Sequence, residues 1–314
     1  MKIIVIDTIQ ASLYSRLEEN GHVCVDASRL NDNEVFELFA KADGLVLRSR
    51  MTLDKEFMDR FSHLKFIGRV GAGLEHIDNE YALEKGIAVL SSPEGNRQAV
   101  AEHALGLLLT LFNRINTADT EVRKGRWIRK ANEGVELQGK TIAIIGFGNT
   151  GEAFSRVLSG FQTPIIAFDK YKSGYDSAVV KGSAMEDVFE SADVVSIHLP
   201  YNEETHCLVN DQWLASFKKP VYLINTSRGN IVDTSALLKA IDSGKVLGAC
   251  LDVLEFETEN LKMPPLEELP ETANALMKNE KVVLTPHIAG LTVESYEKLS
   301  SILADKIIEA FGHA

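Results

Sequence analysis

A short apolar stretch followed by a glycine-rich turn constrains the fold of this chain more than any other feature. Residues 141–145 read Thr-Ile-Ala-Ile-Ile, a run of β-branched side chains that is typical of a buried parallel strand. The turn Gly146-Phe-Gly-Asn-Thr-Gly151 follows at once, and helical spacing of apolar residues follows the turn. A second apolar run, 165–168, ends at Asp169. The pattern predicts a strand, turn, helix and strand with a carboxylate at the tip of the second strand.

Each glycine of this turn has a distinct physical use. Gly146 permits a tight turn, Gly148 lets the backbone approach a pyrophosphate, and Gly151 lets the helix pack on the strand. The helix N-terminus offers unpaired N–H groups to phosphates. Asp169 can accept from both ribose hydroxyls and would repel a 2′-phosphate. The segment therefore predicts a dinucleotide site that favours NAD over NADP, with a purely structural turn as the alternative.

Composition limits the classes of protein to which the chain can belong. With 314 residues, 45% of them hydrophobic and 25% charged, the chain suits two globular domains. A formal charge of −12 argues against a nucleic-acid or anionic-membrane surface. Cys24, Cys207 and Cys250 form no metal pattern, so we expect reduced thiols and a cytoplasmic location. We expect no signal peptide, membrane span or metal site.

Apolar runs alternate with helical patterns, which predicts an α/β protein with parallel sheets. Strands are expected over 2–6, 22–25, 44–47, 64–67, 87–90, 141–145, 165–168, 192–200, 221–225, 248–252 and 281–287. Helices are expected over 11–20, 31–40, 234–242 and 293–311. A further helix over 96–116 is apolar on nearly every face, so we expect it to be buried in a domain core and against a second subunit. A linking segment is expected over 121–137.

Polar residues recur where the predicted strands end. They are Arg48, Gly71, His198, Thr226 to Arg228, Asp252 and His287. The carboxyl ends of strands in an open α/β sheet form the edge where ligands bind. Their recurrence predicts a binding site at that edge.

Two of these residues have chemistry that suits an organic acid. Arg228 can grip a carboxylate and an adjacent oxygen, although a structural salt bridge is the alternative. His287 can act as a general acid and base, although a structural histidine is equally compatible. A nearby carboxylate would raise the pKa of this histidine and fix its tautomer. Glu257 and Glu255 both follow the strand that contains Asp252, and spacing alone leaves both open.

Several short motifs share one known pattern. They are Leu47-Arg-Ser49, Gly68-Arg-Val-Gly-Ala-Gly73, Glu94-Gly-Asn96, the Gly146–Gly151 turn, His198-Leu-Pro200, Asn225-Thr-Ser-Arg-Gly229, Leu251-Asp-Val253 and Pro286-His-Ile-Ala-Gly290. On these motifs essentially the whole chain resembles the D-isomer-specific 2-hydroxyacid dehydrogenase family, and within it the 3-phosphoglycerate dehydrogenase branch.

The resemblance implies an NAD-dependent enzyme with Arg228, Glu257 and His287 as its catalytic triad. In the implied reaction His287 takes the proton of the 2-hydroxyl while a hydride passes from C2 to nicotinamide. Glu257 supports the imidazolium, and Arg228 holds the substrate carboxylate or carbonyl oxygen. Asp252 is similar to the residue that orients the nicotinamide carboxamide, and N–H groups around 70–73 would complete the carboxylate site.

The resemblance also implies the remaining contacts and the domain plan. The implied cofactor contacts are Ala72, Gly146, Gly148, Asn149, Thr150, Gly151, Asp169, His198, Leu199, Pro200, Thr226, Ser227, Asp252, Ala289 and Gly290. The implied substrate contacts are Arg48, Ser49, Val70, Gly71, Gly73 and Asn96. Two Rossmann-like, doubly wound domains with a cleft between them are expected: a substrate domain over 1–95 and 291–314, and an NAD-binding domain over 96–290. The latter includes a dimerisation segment, so we expect a homodimer.

The substrate is open between candidates. Arg48 and Arg50 could bind a phosphate, which would suit oxidation of 3-phosphoglycerate to 3-phosphohydroxypyruvate in serine biosynthesis; solvated surface charge is the alternative. A small unphosphorylated 2-hydroxy or 2-keto acid is the second candidate. A third interpretation is an NAD-sensing corepressor of the same fold, which keeps the triad but acts through protein partners.

The chain departs from the family pattern at several places. His76 stands where members commonly have Asn, and Thr258 stands where Pro usually follows the catalytic Glu. The acidic segment 258–280 is longer than usual, and we expect a surface insertion, with a flap over the site as the alternative. Because the chain stops at residue 314, we expect no C-terminal regulatory domain.

Overall fold

The computed structural model describes residues 1–258 and 262–312. Three residues of the acidic segment, 259–261, and the terminal residues 313 and 314 therefore lie outside the described part. The chain divides into two compact units, a smaller one of Met1–Arg97 with Leu291–Ala314 and a larger one of Gln98–Gly290.

Strands and helices alternate through both units. In chain order the strands are β1 (Lys2–Val5), β2 (Val23–Asp26), β3 (Gly44–Leu47), β4 (Phe66–Arg69), β5 (Ala88–Ser91), β6 (Ile142–Ile145), β7 (Ile165–Phe168), β8 (Val180–Gly182), β9 (Val194–Ile197), β10 (Val221–Asn225), β11 (Val246–Leu251) and β12 (Val282–Leu284). The helices are α1 (Ala11–Glu19), α2 (Asp32–Phe39), α3 (Lys55–Arg60), α4 (Asn79–Glu84), α5 (Arg97–Phe112), α6 (Ile115–Arg123), α7 (Asn149–Leu158), α8 (Met185–Ser191), α9 (Asp211–Ser216), α10 (Thr234–Asp242), α11 (Glu271–Lys278) and α12 (Val293–Phe311).

The smaller unit is built on a five-stranded sheet of order β2-β1-β3-β4-β5, and every pairing is parallel. One face packs against α12, whose Leu303 and Ile307 are fully buried beside Ile3 and Val5. The opposite face holds a separate apolar cluster with Phe39 at its centre. The last helix of the chain therefore completes the core of the first sheet, as a discontinuous domain requires.

The larger unit contains a seven-stranded parallel sheet of order β12-β11-β10-β9-β6-β7-β8. Strand β6 pairs with β7 on one side and β9 on the other, so the strand order reverses at β6. Apolar clusters cover both faces, which explains why the central strands read as continuous apolar runs. Ligands of doubly wound folds bind at the carboxyl edge beside such a reversal.

The long helix expected over 96–116 is wrong in its second part. Helix α5 ends at Phe112, and Arg114 adopts a left-handed conformation with φ 51° before α6 begins at Ile115. The helix α6 occupies the start of the expected linking segment. Residues 113 and 114 are neither glycine nor proline, so the apolar pattern predicts one continuous helix across the break. Within the chain, Glu102 and Gly106 of α5 are exposed, so α5 is not buried on every face.

The acidic segment 258–280 is also different from the expectation. Its described part contains α11, which packs on α10 and buries Ala273 and Leu276. Leu276 belongs to the apolar core of the larger unit. The segment therefore supplies the crossover helix between β11 and β12, rather than only a surface insertion or a flap.

Among the described residues, no helix combines the length and the apolar character needed to span a bilayer. Within the same ranges, no cluster of three or more His, Cys, Asp or Glu residues is arranged to hold a metal ion.

Candidate active site

The glycine turn between β6 and α7 packs closely on the neighbouring backbone at two of its three glycines. Gly146 has φ 91°, and a Cβ there would lie 2.4 Å from the carbonyl oxygen of His198. A Cβ on Gly151 would lie 2.2 Å from the carbonyl oxygen of Gly146. By contrast, a Cβ on Gly148 would meet no atom within 4 Å. Two glycines are thus required by the fold itself, whereas Gly148 leaves open space beside the helix N-terminus.

Asp169 is fixed at the tip of β7 by its own backbone. Its Oδ2 accepts from the N–H of Phe147 at 2.7 Å, and its Oδ1 accepts from Tyr171 at 2.9 Å and Lys172 at 2.8 Å. Burial favours the neutral acid, but these hydrogen bonds prevail and the pKa of Asp169 lies below its ordinary value. An anchored, ionised carboxylate therefore stands at the place expected for a ribose contact.

His287 and Glu257 form a close pair. The Nδ1–H of His287 donates to Oε2 of Glu257 at 2.7 Å, while Oε1 accepts from the N–H of Leu254 at 2.5 Å. His287 has the left-handed φ of 55°, which is uncommon for a non-glycine residue, and its own N–H bonds the carbonyl of Asp252 at 2.7 Å. The backbone thus fixes the position of His287, and the contact with Glu257 makes Nδ1 the nitrogen that faces the carboxylate.

The structure separates the two glutamates that spacing left open. Oε2 of Glu255 accepts from the N–H of Thr234 at 2.8 Å, at the start of α10. Glu257 alone of the two bonds His287. This is the arrangement that the resemblance implies.

Arg228 lies in a loop that hydrogen bonds hold at the end of β10. Its Nη1 donates to the carbonyl of Ser227 at 2.6 Å, and its own carbonyl accepts from Nδ2 of Asn225 at 2.9 Å. The next residue, Gly229, packs so closely on Leu254 that a Cβ would lie 2.0 Å from its carbonyl carbon. The loops of Arg228 and Glu257 therefore touch through their backbones.

Asp252 is held at the end of β11 by hydrogen bonds from the loop that follows β12. Only 1% of it is exposed, and its oxygens accept from Thr285 Oγ1 at 2.6 Å and the N–H groups of Ile288 at 2.9 Å and Ala289 at 2.8 Å. Burial opposes ionisation, but His103 and these donors lower the pKa of Asp252. The carboxylate thus holds the loop that carries His287. His103 of α5, which was not among the predicted site residues, also contacts this group, because its Nε2 lies 3.0 Å from Thr285 Oγ1.

The ring of His198 is likewise directed inward. Only 7% of the residue is exposed, and its ring nitrogens contact the hydroxyls of Ser196 at 2.8 Å and Thr150 at 3.2 Å. Both ring nitrogens of His198 therefore make their contacts within the protein. Its neighbours Leu199 and Pro200 are partly exposed or exposed, and Ser227 Oγ donates to the carbonyl of Ile197 at 2.8 Å.

At the carboxyl edge of the smaller sheet, Asp7 organises the loop after β3. Its Oδ2 accepts from the N–H groups of Arg48 at 2.5 Å, Ser49 at 3.2 Å and Arg50 at 3.4 Å. The guanidinium of Arg50 binds the carbonyls of Ile6 at 3.0 Å and Ala27 at 3.3 Å, as well as Asp32 at 2.9 Å. The suggestion that Arg50 binds a phosphate is therefore wrong, because its donors hold β1 and the loop after β2 together.

Arg48 is placed differently from Arg50. Its guanidinium lies over the ring of Tyr296 from α12, 4.4 Å from the ring centroid. The guanidinium of Arg69 is a second cation at this edge, and it occupies the space that a Cβ on Gly71 would need. Gly71 itself has φ 154° and donates its N–H to the carbonyl of Arg69 at 2.9 Å. The sequence did not predict a cation beside Gly71, because its position depends on the side-chain conformation of Arg69.

Two further predicted positions show buried polar atoms. Nε2 of His76 and Oδ1 of Asn96 have no hydrogen-bond partner within the described ranges. Burial, and then the charge of Arg69, lowers the pKa of His76, so the imidazole is neutral near pH 7. The loop that leads to Asn96 is held by Lys306, whose Nζ donates to both oxygens of Glu94 at 2.9 Å.

The two-unit α/β fold, the glycine turn after β6 and the pair of His287 and Glu257 are features of the class of α/β proteins that bind a dinucleotide. Residues 105–289 match the family described as D-isomer specific 2-hydroxyacid dehydrogenase, NAD binding domain. The chain belongs to this family.

The chain is also similar to individual proteins whose names describe dehydrogenases and reductases of organic acids. The chain is 33% identical to a D-3-phosphoglycerate dehydrogenase of Archaeoglobus fulgidus over 310 residues, which is 98% of this chain and 57% of that protein. It is 34% identical to a hydroxypyruvate reductase of Thermotoga maritima over 311 residues, covering 99% and 98% of the two chains. The crystal structure of a D-lactate dehydrogenase from Treponema pallidum superposes with a TM-score of 0.81 at 27% identity, covering 99% of this chain and 97% of that one. The chain therefore spans little more than half the length of some of its curated relatives.

Proposed function

We propose that this protein transfers a hydride between C2 of a D-2-hydroxy acid and NAD. The bond between His287 and Glu257 carries the proposal, because it sets an acid–base nitrogen on the carboxyl edge of the sheet that bears the glycine turn. Two features support NAD as the cofactor: Gly148 leaves space at the helix N-terminus, and the lowered pKa of Asp169 keeps a carboxylate ionised at the tip of β7, where a ribose contact is expected.

Glu257, His287 and Arg228 have separate roles in the proposed reaction. Glu257 accepts the Nδ1–H of His287, so Nε2 is the nitrogen that takes the proton of the substrate hydroxyl. The same carboxylate stabilises the imidazolium that forms, and in the reverse direction Nε2–H returns the proton. Arg228 binds the substrate carboxylate or the developing carbonyl oxygen. NAD, when bound, supplies the acceptor for the hydride.

We propose 3-phosphoglycerate as the substrate, which would place the protein in serine biosynthesis. Support comes from Arg48 and Arg69, two cations at the carboxyl edge of the smaller sheet, and from relatives named D-3-phosphoglycerate dehydrogenase. The contact residues Val70, Gly71 and Gly73 would hold the carboxylate through backbone N–H groups. Arg50 does not support this proposal, because its guanidinium already binds the carbonyl of Ile6 and the carboxylate of Asp32.

An unphosphorylated 2-keto acid such as hydroxypyruvate is the second candidate. It is favoured because the guanidinium of Arg50 binds protein groups and is not left for a phosphate. It is also favoured by the similarity of this chain to nearly the full length of the hydroxypyruvate reductase of Thermotoga maritima. The substrate test follows NADH by absorbance with 3-phosphoglycerate and a trap for the keto product. Small D-2-hydroxy acids and their keto acids run beside it.

Wild type and Arg48→Gln form the matched pair in this substrate test. Turnover of 3-phosphoglycerate whose KM rises in Arg48→Gln supports the phosphate assignment. Turnover of unphosphorylated acids alone, unchanged in Arg48→Gln, supports the second candidate. The absence of turnover with any acid would contradict the proposed reaction.

We also propose that the protein is a homodimer, with contacts through the segment 115–128. Apolar side chains are exposed there: Ile115 to 49%, Val122 to 50%, Trp127 to 80% and Ile128 to 41%. An exposed apolar group of this kind is typical of a protein–protein interface. A second copy would also cover the partly exposed leucines of α5 that the sequence expected to be buried.

A further inference from the structure

A buried hydrogen-bonded chain runs from β9 to the glycine turn. The hydroxyl of Ser196 lies 2.8 Å from Nε2 of His198, and Nδ1 of His198 lies 3.2 Å from the hydroxyl of Thr150. Ser196 is fully buried, and the imidazole packs on the ring of Phe154 with centroids 5.4 Å apart. Thr150 is the second residue of α7, beside Gly148.

The chain of bonds has a preferred direction. Within the described residues, Nε2 of His198 is the only hydrogen-bond partner of the Ser196 hydroxyl. A buried O–H that lacks an acceptor is destabilising. The hydroxyl therefore donates to Nε2, and in the neutral imidazole the proton then resides on Nδ1. Burial keeps this ring neutral, because it lowers the pKa of His198 to about 3.

The tautomer determines what Thr150 can do. Because Nδ1 carries the proton, it donates to Oγ1 of Thr150, and the hydrogen of the threonine hydroxyl remains for another acceptor. Thr150 is partly exposed in the first turn of α7, where the helix N-terminus also favours an anion.

We propose that Ser196 and His198 orient the Thr150 hydroxyl as a donor to a pyrophosphate oxygen of NAD. His198 is thus a positioning residue that acts through Thr150. The inference rests on the proposed function only for the identity of the anion.

The tautomer is measured first, on the wild-type protein without cofactor. NMR of protein labelled with ¹⁵N in its histidine rings distinguishes a protonated from an unprotonated ring nitrogen. We expect Nδ1 of His198 to be protonated and Nε2 to be unprotonated at neutral pH, and Ser196→Ala to give a mixture of tautomers. A proton on Nε2 in the wild type, or an unchanged tautomer in Ser196→Ala, would overturn the inference.

The effect on binding is measured by titration of NADH fluorescence. His198→Leu removes the donor to Thr150, whereas His198→Asn, which has as many side-chain heavy atoms as the leucine variant, can keep an N–H near the position of Nδ1. We expect His198→Leu and Thr150→Val each to raise the Kd by roughly tenfold, as for a hydrogen bond to a charged group. His198→Asn is expected within about threefold of the wild type.

A double variant distinguishes positioning from a structural role. If His198 acts through Thr150, adding His198→Leu to Thr150→Val changes the Kd by less than about twofold. An equal loss in both backgrounds would overturn the inference. If His198→Leu does not fold, the tautomer of the wild type decides. A protein that binds no NADH but has the expected tautomer would refute the proposed function and leave the proton order intact.

Discussion

His287 occupies a backbone conformation that its surroundings must enforce. A non-glycine residue at φ 55° costs on the order of 1–3 kcal/mol. Three contacts oppose this cost: the N–H of His287 bonds Asp252, the carboxylate of Asp252 binds the next two N–H groups, and Glu257 holds the ring. The geometry thus fixes the imidazole before any substrate arrives, which is the pre-organisation that acid–base catalysis needs.

The two neighbouring glutamates allow a matched test of this account. Glu257→Gln removes the carboxylate that stabilises the imidazolium, so we expect kcat to fall by about 10²-fold or more. Glu255→Gln keeps an acceptor for the N–H of Thr234 and should retain kcat within about twofold. Steady-state rates of both variants with the best substrate provide the comparison. Equal losses in the two would contradict the assignment.

His198 should make the protein sensitive to acid. Its pKa is lowered from 6.5 to about 3 by burial, so between these values the unfolded chain binds a proton that the folded chain does not. This contribution to the free energy of unfolding is complete above pH 6.5 and falls as the pH decreases, by up to about 1.4 kcal/mol per pH unit. His22 and His76 act in the same direction.

His198→Asn has no group that titrates here, and so isolates this term. Urea unfolding at pH 7, 6 and 5 should show a shallower decline for the variant than for the wild type. Parallel declines would show that His198 does not carry the effect.

At the scale of the element, the turn between β6 and α7 contains one glycine that the fold needs, Gly151, and one that we expect only the ligand to need, Gly148. Gly151→Ala would place a Cβ 2.2 Å from a backbone oxygen, so we expect it to lower the free energy of unfolding by about 1–3 kcal/mol. Gly148→Ala meets no atom within 4 Å and should change that quantity by less than about 0.5 kcal/mol.

The same Gly148→Ala variant should nevertheless raise the Kd for NADH by roughly tenfold or more, because the added methyl group fills the space left for the pyrophosphate. Thermal or urea unfolding and NADH titration of both variants measure the two effects separately. Unaltered NADH binding by Gly148→Ala would mean that the cofactor does not approach this turn.

Several elements could be predicted from local pattern because their signals are local. Strands β3, β7 and β10 and helices α10 and α12 have the expected bounds, since apolar runs and periodicity determine them. The break at Arg114 could not be predicted, because nothing in residues 113–114 marks it. Helix α11 was missed because two buried side chains in an acidic segment give too weak a periodic signal.

The site shows the same division between what lies along the chain and what depends on packing. Spacing along the chain left both Glu255 and Glu257 open as partners of His287, the family resemblance implied Glu257, and the coordinates show that Glu257 makes the contact. The inward direction of Asp252 and the engagement of Arg50 depend on side-chain conformation. Sequence position indicates which strand end carries a residue, and it does not indicate which way that residue points.

At the scale of the whole molecule, the exposed apolar segment predicts self-association. Trp127 and Leu83 are both 80% exposed, but only Trp127 belongs to that segment. Trp127→Glu should convert the dimer to a monomer, because a charge would be buried without a partner. Leu83→Glu should leave the mass unchanged. Light scattering after gel filtration measures both, and a wild-type monomer would contradict the proposal.

The transfer of the C2 hydrogen is the most direct test of the central claim. A D-2-hydroxy acid that the protein oxidises is supplied with deuterium at C2, together with NAD and a trap for the keto product. Mass spectrometry then measures the reduced cofactor. We predict that each NADH formed carries the deuterium, that the L-isomer gives none, and that a His287→Ala variant with unchanged NADH affinity forms it at least about 10²-fold more slowly. Unlabelled NADH, or equal rates with His287→Ala, would contradict the account.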